Sequence, residues 1–533
     1  MGDTEVLVVG AGPVGLTAAL ELHRRGVDCR IVDRLAQPQP YARAVGLRPR
    51  TLEVWDAMGL VRDVLDAAVP LHGVLGYVGR KPEPRVDLTL PPDVPYGFAA
   101  LPQDATERLL TVHLEAYGGR VERGTELLGL EQDSGTVRAR LRTAGGTETV
   151  ECRYAIGCDG GHSRTRRELG LSFEGDALPE EHMLGDVEVD WDLPSGYAVR
   201  SLRRGGGADD LLVCVPLPGR RRYRMTMPVP PELSAAHDPP GAEAAHGVES
   251  DRAPELRHVQ AMLDRLSPQP TTARSLRWSS VFRTGRRLAE RYGAGRVFLA
   301  GDAAHVHPPT GAQGMNTGVQ DAYNLAWKLA LAIHGVAADG LPASYHAERH
   351  PVGEDVVRRT FPRPGEGRQA PEEIGLVVLR EAQLLIGYRD SPLVDPDPGG
   401  PEPRPGDRAP DCRGLTGDIA AYPVRLFDLL RSPHHTLLLY ADAGSSAEEL
   451  RACATAAREA AHGRLNVFAV LAPGAPGDGL GVPRVHDRDG EFRRRYGARP
   501  PEAVVVRPDA HISARFPRPS PAVLARHLAR TFA

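Results

Sequence analysis

The N-terminal segment places the tightest constraint on the fold, because it combines a glycine-rich turn with the elements that such a turn requires on either side. Residues 5–9 (EVLVV) form a short apolar run that is typical of a buried parallel strand. Residues 10–15 (GAGPVG) follow, residues 16–25 have helical spacing, and residues 27–33 (VDCRIVD) indicate a second strand. The sequence therefore predicts a βαβ unit that opens a doubly wound α/β domain.

The G-x-G-x-x-G spacing within this turn suits a dinucleotide. Gly10 permits the tight turn, Gly12 lets the backbone approach a pyrophosphate, and Gly15 allows close packing of the helix. The N-terminus of the following helix favours phosphate charge. Asp33 ends the second strand, where its carboxylate can accept hydrogen bonds from ribose hydroxyls. The alternative is a glycine turn followed by an unrelated strand-end acid.

Pro13 and Arg34 adjoin these positions, and we include both among the candidate cofactor-binding residues.

Composition narrows the class of protein. A chain of 533 residues is too long for one core, so two or three domains are expected. The formal net charge of −4 predicts no general attraction to nucleic acid or to acidic lipid. Six cysteines without a C-x-x-C pair predict neither a metal site nor a disulfide framework, and they fit a reducing cytoplasm. We find no targeting segment or membrane span in the sequence, so a cytoplasmic location is expected.

A second informative segment lies almost 300 residues beyond the glycine turn. Residues 301–316 read GDAAHVHPPTGAQGMN and follow a buried strand predicted at residues 296–300. An amphipathic helix is predicted at residues 321–334. Two distant segments that both suit one extended cofactor are more informative than either alone.

A third segment joins them, in which Asp159-Gly160 is followed by Ser163 and Arg164. With these three motifs, over roughly residues 4–390, the chain resembles the class A flavoprotein aromatic monooxygenases, the family of para-hydroxybenzoate hydroxylase and phenol hydroxylase. The resemblance implies bound FAD and the use of NADPH or NADH. The chain has no second G-x-G-x-x-G, so the resemblance implies that the nicotinamide cofactor has no Rossmann domain of its own.

The resemblance also assigns expected roles to the segment at residues 301–316. It implies that Asp302 binds the ribityl chain of FAD, and that the loop beginning at Pro309 borders the isoalloxazine. The backbone at Gly314 and Met315 would face the flavin N1 and O2, where a helix N-terminus stabilises negative charge. Asn316 closes this loop. For Asp302 the alternative is a simple helix N-cap.

Other expected cofactor contacts come from the same resemblance. Asp159 would serve both FAD and NADPH, Arg43 would lie near the flavin and its phosphates, and Gln103 would reach the ribityl hydroxyls. Leu127 would meet the adenine through its backbone.

Among the basic residues that follow Asp159, we expect Arg166 and Arg167 to lie on a solvated helix start. No catalytic side chain is assigned, since the flavin carries the chemistry. His307 is the candidate, and His305 occupies a position in the motif that is more often structural.

The implied fold class is α/β: a doubly wound, Rossmann-like FAD-binding domain, an inserted and mostly antiparallel β-sheet for the substrate, and a C-terminal thioredoxin-like domain. The predicted boundaries are 1–172 and 284–390 for the discontinuous FAD-binding domain, 173–283 for the substrate domain, 391–404 for a linker and 405–533 for the last domain. That last domain lacks a C-x-x-C pair, so we expect it to be structural, with Cys453 as a packed small residue.

The implied function is hydroxylation of a polycyclic aromatic polyketide by dioxygen through a C4a-hydroperoxyflavin, in a monomer or a homodimer. Baeyer–Villiger insertion on a related polyketide remains open, because one flavin intermediate serves both reactions. Inactivation of an aromatic antibiotic is a third possibility. Two other classes would share the glycine turn. A flavin-dependent halogenase needs a W-x-W-x-I-P motif that this chain lacks, and a non-catalytic flavoprotein need not keep residues 301–316.

Overall fold

The computed structural model describes residues 3–40, 44–205, 209–234, 253–308, 313–360, 374–396, 399–400, 402–419, 422–477 and 479–533. Two candidate cofactor residues, Arg43 and Pro309, lie outside these ranges.

The strands are β1 (Thr4–Val9), β2 (Cys29–Asp33), β3 (Gly46–Leu47), β4 (Val69–Leu71), β5 (Gly73–Val78), β6 (Lys81–Pro82), β7 (Val86–Asp87), β8 (Phe98–Ala100), β9 (Val121–Arg123), β10 (Glu126–Gln132), β11 (Val137–Thr143), β12 (Gly146–Gly157), β13 (Phe173–Val189), β14 (Tyr197–Arg203), β15 (Asp210–Pro216), β16 (Arg222–Pro228), β17 (Ala273–Ala289), β18 (Gly293–Ala294), β19 (Val297–Leu299), β20 (His305–Val306), β21 (His435–Ala441), β22 (Leu465–Leu471), β23 (Arg484–His486), β24 (Glu502–Val506) and β25 (Ile512–Pro517). The α-helices are α1 (Pro13–Arg24), α2 (Pro49–Ala57), α3 (Val61–Ala67), α4 (Gln103–Ala116), α5 (Arg164–Glu168), α6 (Leu256–Leu266), α7 (Gly314–Ile333), α8 (Ser344–Thr360), α9 (Ile374–Glu381), α10 (Leu426–Leu429), α11 (Ala447–Ala460), α12 (Glu491–Tyr496) and α13 (Pro521–Leu528).

The doubly wound sheet has the parallel strand order β9-β2-β1-β12-β19. Its central strand β1 is almost wholly buried, because helices pack on both faces of such a sheet. Helices α1 and α7 pack against each other on one face. The predicted α/β class is confirmed, and the strands predicted at residues 5–9 and 27–33 are present as β1 and β2. A hairpin of β10 and β11 extends the sheet beyond β12.

The second sheet is mostly antiparallel and has nine strands, in the order β20-β17-β13-β16-β15-β14-β5-β6 with β7 beside β5. The strands predicted within residues 183–227 appear in β13, β15 and β16. This sheet also contains β5, β6 and β7, which come from the N-terminal part of the chain, and β5 pairs in parallel with β14. The domain boundaries at residues 173 and 283 therefore remain predictions.

The edge strand of this second sheet, β20, belongs to the segment that begins at Gly301. Strand β17 pairs with β20, so that Arg287 lies opposite Val306 and Leu288 lies opposite His305. The sheet thus holds one side of the segment that the sequence assigns to the cofactor.

The C-terminal sheet has the order β23-β22-β21-β24-β25, in which β21, β22 and β23 are parallel and β24 and β25 run antiparallel to their neighbours. One face shares its hydrophobic core with Trp327 and Leu331 of α7. Cys453 is 1% exposed in the same core, as predicted for a packed small residue. The sheet is therefore packed directly on the helix that begins near the candidate cofactor site.

Across the described ranges, none of the helices combines the length and the apolar character needed to span a bilayer.

We expect Leu437→Ala to destabilise the protein by about 2–5 kcal/mol, because it empties a fully buried site in the core between α7 and the C-terminal sheet. Leu65→Ala, at a leucine that is 43% exposed, should change stability by less than about 0.5 kcal/mol. Chemical denaturation of both variants measures the difference. Equal effects would contradict the shared core.

Candidate cofactor site

The glycines of the N-terminal turn differ in what surrounds them. A Cβ at Gly10 would lie 2.4 Å from the carbonyl oxygen of Cys158, and a Cβ at Gly15 would lie 1.9 Å from the carbonyl oxygen of Gly10. A Cβ at Gly12 would have no described heavy atom within 4 Å. Gly10 and Gly15 are therefore required by packing, whereas Gly12 borders open space, as expected where a pyrophosphate approaches the backbone.

The N-terminus of α1, which is the positive end of the helix dipole, lies at the open space beside Gly12. Gly12 is the N-cap and Pro13 is the first helical residue, and no side chain caps the first turn. The first turn also has no acidic residue. Because unpaired N–H groups and the helix dipole both favour negative charge, the site beside Gly12 suits a phosphate.

Asp33 lies at the end of β2, where the sequence places it. Its Oδ2 accepts a hydrogen bond from the Ala11 amide at 2.8 Å, and its Oδ1 accepts one from the Leu35 amide at 2.8 Å. The carboxylate thus braces the glycine turn. Each carboxylate oxygen can accept a further bond, so hydrogen bonding to ribose hydroxyls is still available. The neighbouring Arg34 is exposed.

Asp159 holds its own loop. Its Oδ1 accepts a hydrogen bond from Ser163 Oγ at 2.6 Å, and its Oδ2 accepts bonds from the amide and the hydroxyl of Thr165 at 2.9 and 3.1 Å. Ser163 in turn caps α5 by accepting from the Arg166 amide at 2.9 Å. The carboxylate is thus used within the loop, and a direct contact of Asp159 with a cofactor remains a prediction.

Arg166 differs from the sequence expectation, since it is only 6% exposed and does not lie on a solvated surface. Its guanidinium donates to the carbonyl oxygens of Ala303 and Gly161, both at 2.9 Å, and lies 3.7 Å from the centroid of the Phe173 ring. It therefore joins the Asp159 loop to the segment at residues 301–308. The expectation was wrong because the Ala303 carbonyl is far from Arg166 in the sequence and only the fold brings the two together. Arg167 is exposed, as expected.

The two distant motifs meet at Val14. A Cβ at Gly301 would lie 2.9 Å from Val14 Cγ2, and a Cβ at Gly318 would lie 2.6 Å from the same atom. Asp302 follows Gly301 in a short 3₁₀ turn and is exposed. It does not cap α7, whose N-cap is Gln313. Asp302 is therefore not the N-cap of α7, and the residue before it, Gly301, lies against Val14 of α1.

Helix α7 begins at Gly314, seven residues before the helix that the sequence predicts at residue 321. Among the described residues, the N-cap Gln313 makes no side-chain hydrogen bond to the first turn, which includes Met315. Asn316 is fully buried: its Oδ1 accepts from the Arg48 amide at 3.0 Å, and its Nδ2 donates to the Gly46 carbonyl at 2.8 Å. Asn316 therefore ties β3 to the start of α7.

Two further predicted contacts flank this region. Gln103 accepts a hydrogen bond from the Ala44 amide at 3.2 Å and donates one to Glu107 at 2.8 Å, so it lies beside the segment that contains β3. Burial raises the pKa of Glu107 to about 7. The side chain of Leu127 packs in the core beneath β10, which leaves only its backbone for an adenine contact.

The two histidines of the motif have different surroundings. His305 is 1% exposed, and its Nε2 lies 2.7 Å from Asp321 Oδ2, which also accepts from the Gly301 amide at 3.2 Å. This arrangement favours a structural role for His305.

His307 donates from Nδ1 to the Pro308 carbonyl at 2.9 Å, which leaves Nε2 as an acceptor. That Nε2 is buried without a hydrogen-bond partner among the described residues, and a Cβ at Gly314 would lie 3.4 Å from it. Burial lowers the pKa of His307 to about 4, so the imidazole is neutral at pH 7.

Comparison with known proteins agrees with this geometry. The profile of a family described as "FAD binding domain" matches residues 3–360. A flavin-dependent monooxygenase of Mycobacteroides abscessus is 36% identical over 454 residues, which is 82% of this chain and 88% of that protein. A 6-methylpretetramide 4-monooxygenase of Streptomyces rimosus is 33% identical over 98% of this chain and 93% of its own length.

A solved structure of similar fold covers almost all of the chain. The ternary complex of aklavinone-11 hydroxylase with FAD and aklavinone superposes with a TM-score of 0.79 at 26% identity, over 99% of each chain.

We expect Gly12→Ala to weaken FAD binding and Gly15→Ala to lower the stability of the protein. Gly12→Ala places a methyl group in open space, so the apoprotein should keep its stability while FAD binds about tenfold more weakly or worse. Gly15→Ala brings the methyl group against backbone and should lower the free energy of unfolding by about 2 kcal/mol. Thermal unfolding and FAD titration separate the two effects. A Gly12→Ala protein with wild-type FAD affinity would contradict the open site.

The lowered pKa of His307 predicts a pH-dependent stability. Below its ordinary pKa of 6.5 the unfolded imidazole takes up a proton, while the folded one stays neutral until about pH 4. Stability should therefore fall by about 3 kcal/mol as the pH falls through this window. His307→Gln should reduce that slope in denaturation curves measured from pH 7 to pH 4, whereas His162→Gln, at an exposed histidine, should retain it.

Proposed function

The chain belongs to the FAD binding domain family, and from that premise we propose that it hydroxylates a polycyclic aromatic polyketide with one oxygen atom of dioxygen. It is an FAD-dependent monooxygenase, and NADPH or NADH reduces the flavin. The relative that acts on 6-methylpretetramide and the hydroxylase bound to aklavinone support this substrate class.

The convergence at Val14 is the observation that supports the cofactor site most directly. Gly301 and Gly318 close on this residue, and the neighbouring Gly12 is left open to a ligand. The residues present fit FAD. The uncapped end of α1 suits the pyrophosphate, and Asp33 retains acceptor capacity for the ribose.

We propose further contacts with FAD from the family resemblance and from where the residues lie in the structure. Asp302 would bind the ribityl chain, and Gln103 would reach the same chain from β3's side of the site. The backbone of Gly314 and Met315 at the start of α7 would stabilise negative charge on the ring system. The proposed contacts of Arg43 and Pro309 rest on the resemblance alone. When bound, the flavin supplies hydride acceptance and oxygen activation.

The substrate side of the site is proposed to lie where the second sheet meets the segment after residue 43. Val45 and Leu217 are 6% and 2% exposed and pack together with Val215 at the end of β15. Such an apolar wall suits fused aromatic rings, which bind mainly through buried apolar area. Within this wall, Val45 directly follows Ala44, whose amide donates to Gln103 Oε1 at 3.2 Å.

We also propose that the C-terminal sheet is thioredoxin-like. Its order β22-β21-β24-β25, with a helix between β21 and β22 and another after β25, supports that assignment. All six cysteines of the chain are unpaired and none forms a C-x-x-C pair, so a redox role is not proposed.

Turnover under ¹⁸O₂ with a panel of polycyclic phenols and quinones tests the function. We expect NADPH-dependent products that carry one ¹⁸O atom and keep every ring, as mass spectrometry of the product can show. Incubation without dioxygen is the control. One ¹⁸O atom in a ring-expanded or cleaved product would instead indicate Baeyer–Villiger insertion. Protein that holds FAD but oxidises NADPH with none of these compounds would contradict the proposal.

A further inference from the structure

The turn between β24 and β25 carries buried charge at the contact between the C-terminal sheet and the FAD-binding part. Residues 507–511 (RPDAH) form this turn, closed by backbone hydrogen bonds from Arg507 to His511 at 2.8 Å and from Ala510 to Arg507 at 2.9 Å. Arg507, Asp509 and His511 are each 2% exposed. Charged groups are this deeply buried only where partners replace water.

Those partners belong to α7 and α8. Arg507 forms two hydrogen bonds with Glu348 of α8, Nη1 to Oε1 at 2.5 Å and Nη2 to Oε2 at 2.8 Å. Asp509 Oδ2 accepts from Asn324 Nδ2 at 3.1 Å and from Trp327 Nε1 at 3.4 Å, both on α7. Lys328 of α7 donates to Glu348 Oε2 at 2.7 Å. The turn thus bonds to both helices.

The next residue of α8 carries the connection to the cofactor segment. Arg349 donates through Nε to Asp321 Oδ1 at 2.7 Å and through Nη2 to the Thr317 carbonyl at 3.1 Å, near the start of α7. Asp321 Oδ2 in turn accepts from the Gly301 amide at 3.2 Å and lies 2.7 Å from His305 Nε2. Glu348 and Arg349 of α8 and Asp321 of α7 therefore connect the C-terminal turn to Gly301.

The network is balanced in formal charge. Three carboxylates face three cations, all within these buried contacts: Asp321, Glu348 and Asp509 against Lys328, Arg349 and Arg507. Because Glu348 of α8 pairs with both Arg507 of the turn and Lys328 of α7, α7 and α8 cannot shift relative to the turn without leaving a buried charge unpaired. The backbone of the turn is itself fixed, since Ala510 has a φ of 55°, which non-glycine residues rarely adopt.

We infer that Arg507 and Asp509 are positioning residues for the flavin: the C-terminal turn holds α7 and α8 in the register that places Gly301 and the start of α7 against FAD. This assigns the C-terminal sheet a role in the reaction without any redox chemistry of its own. The inference rests on the proposed function, since it requires FAD at residues 301–316.

Conservative variants test this in the full-length holoenzyme. Arg507→Lys keeps the charge but loses the two-point contact with Glu348, and Asp509→Asn keeps the shape but not the charge. We expect both to raise the FAD dissociation constant about tenfold and to change the visible circular dichroism of the bound flavin.

Arg515→Lys is the matched control. Arg515 is 8% exposed and lies on the neighbouring strand β25, where it pairs with Glu502 and donates to the carbonyls of Pro403 and Tyr496. It should lower thermal stability to a similar extent while leaving the FAD dissociation constant and the flavin spectrum unchanged. Equal effects of the control and the test variants on FAD would overturn the inference, as would destabilised test variants with wild-type FAD binding.

Hydrogen exchange in the wild-type chain gives a test that needs no variant. Coupling between two sites is reciprocal, so FAD binding must stabilise the turn if the turn positions the FAD site. We expect FAD to slow exchange at the amides of Arg507 and Ala510 about fivefold or more, and to leave those near Tyr496 unchanged. Protection confined to the glycine turn and residues 301–333 would overturn the inference. Wild-type protein without FAD affinity would overturn the proposed function as well.

Discussion

The Asp321 carboxylate is the contact on which the arrangement of the cofactor segment depends. It is fully buried and joins three elements: the Gly301 amide, the His305 ring and the Arg349 guanidinium. Burial alone would raise the pKa of Asp321, but Arg349 and His305 together outweigh it, so the group is charged. Its removal would leave Arg349 buried without its counter-charge, which costs about 3–5 kcal/mol in other proteins.

Close backbone approach explains why the three motifs meet around one space. Gly10 and Gly15 let β1, α1 and the loop after β12 touch, while Gly301 and Gly318 let the second motif pack on Val14. Side chains at these four positions would separate the segments by the width of a methyl group or more. Gly12 of the N-terminal turn is free of such contacts among the described residues, so a ligand can approach its backbone.

Local patterns predicted β1, α1 and β2, because each is set by the periodicity of its own residues. The pairing of β5 with β14 joins segments that are far apart in sequence and leaves no local signal. Helix α7 begins at Gly314 although its apolar pattern starts only after Asp321, because its first turns face β3 and Val14. Likewise Arg166 is predicted to lie on the surface because the Ala303 carbonyl to which it donates is far away in the sequence.

The charged contact between the C-terminal sheet and α7 and α8 is not explained by stability alone. A buried ion pair is often no more stabilising than well-packed apolar residues of the same size, and the apolar core around Trp327 and Leu437 already joins these parts. Directional hydrogen bonds fix orientation in a way that apolar packing does not. A lowered pKa of about 8 at Lys328 shows how strongly burial opposes the charge, yet three cations are kept there. Such a network fixes the register of α7, whose first turn we propose to border the flavin.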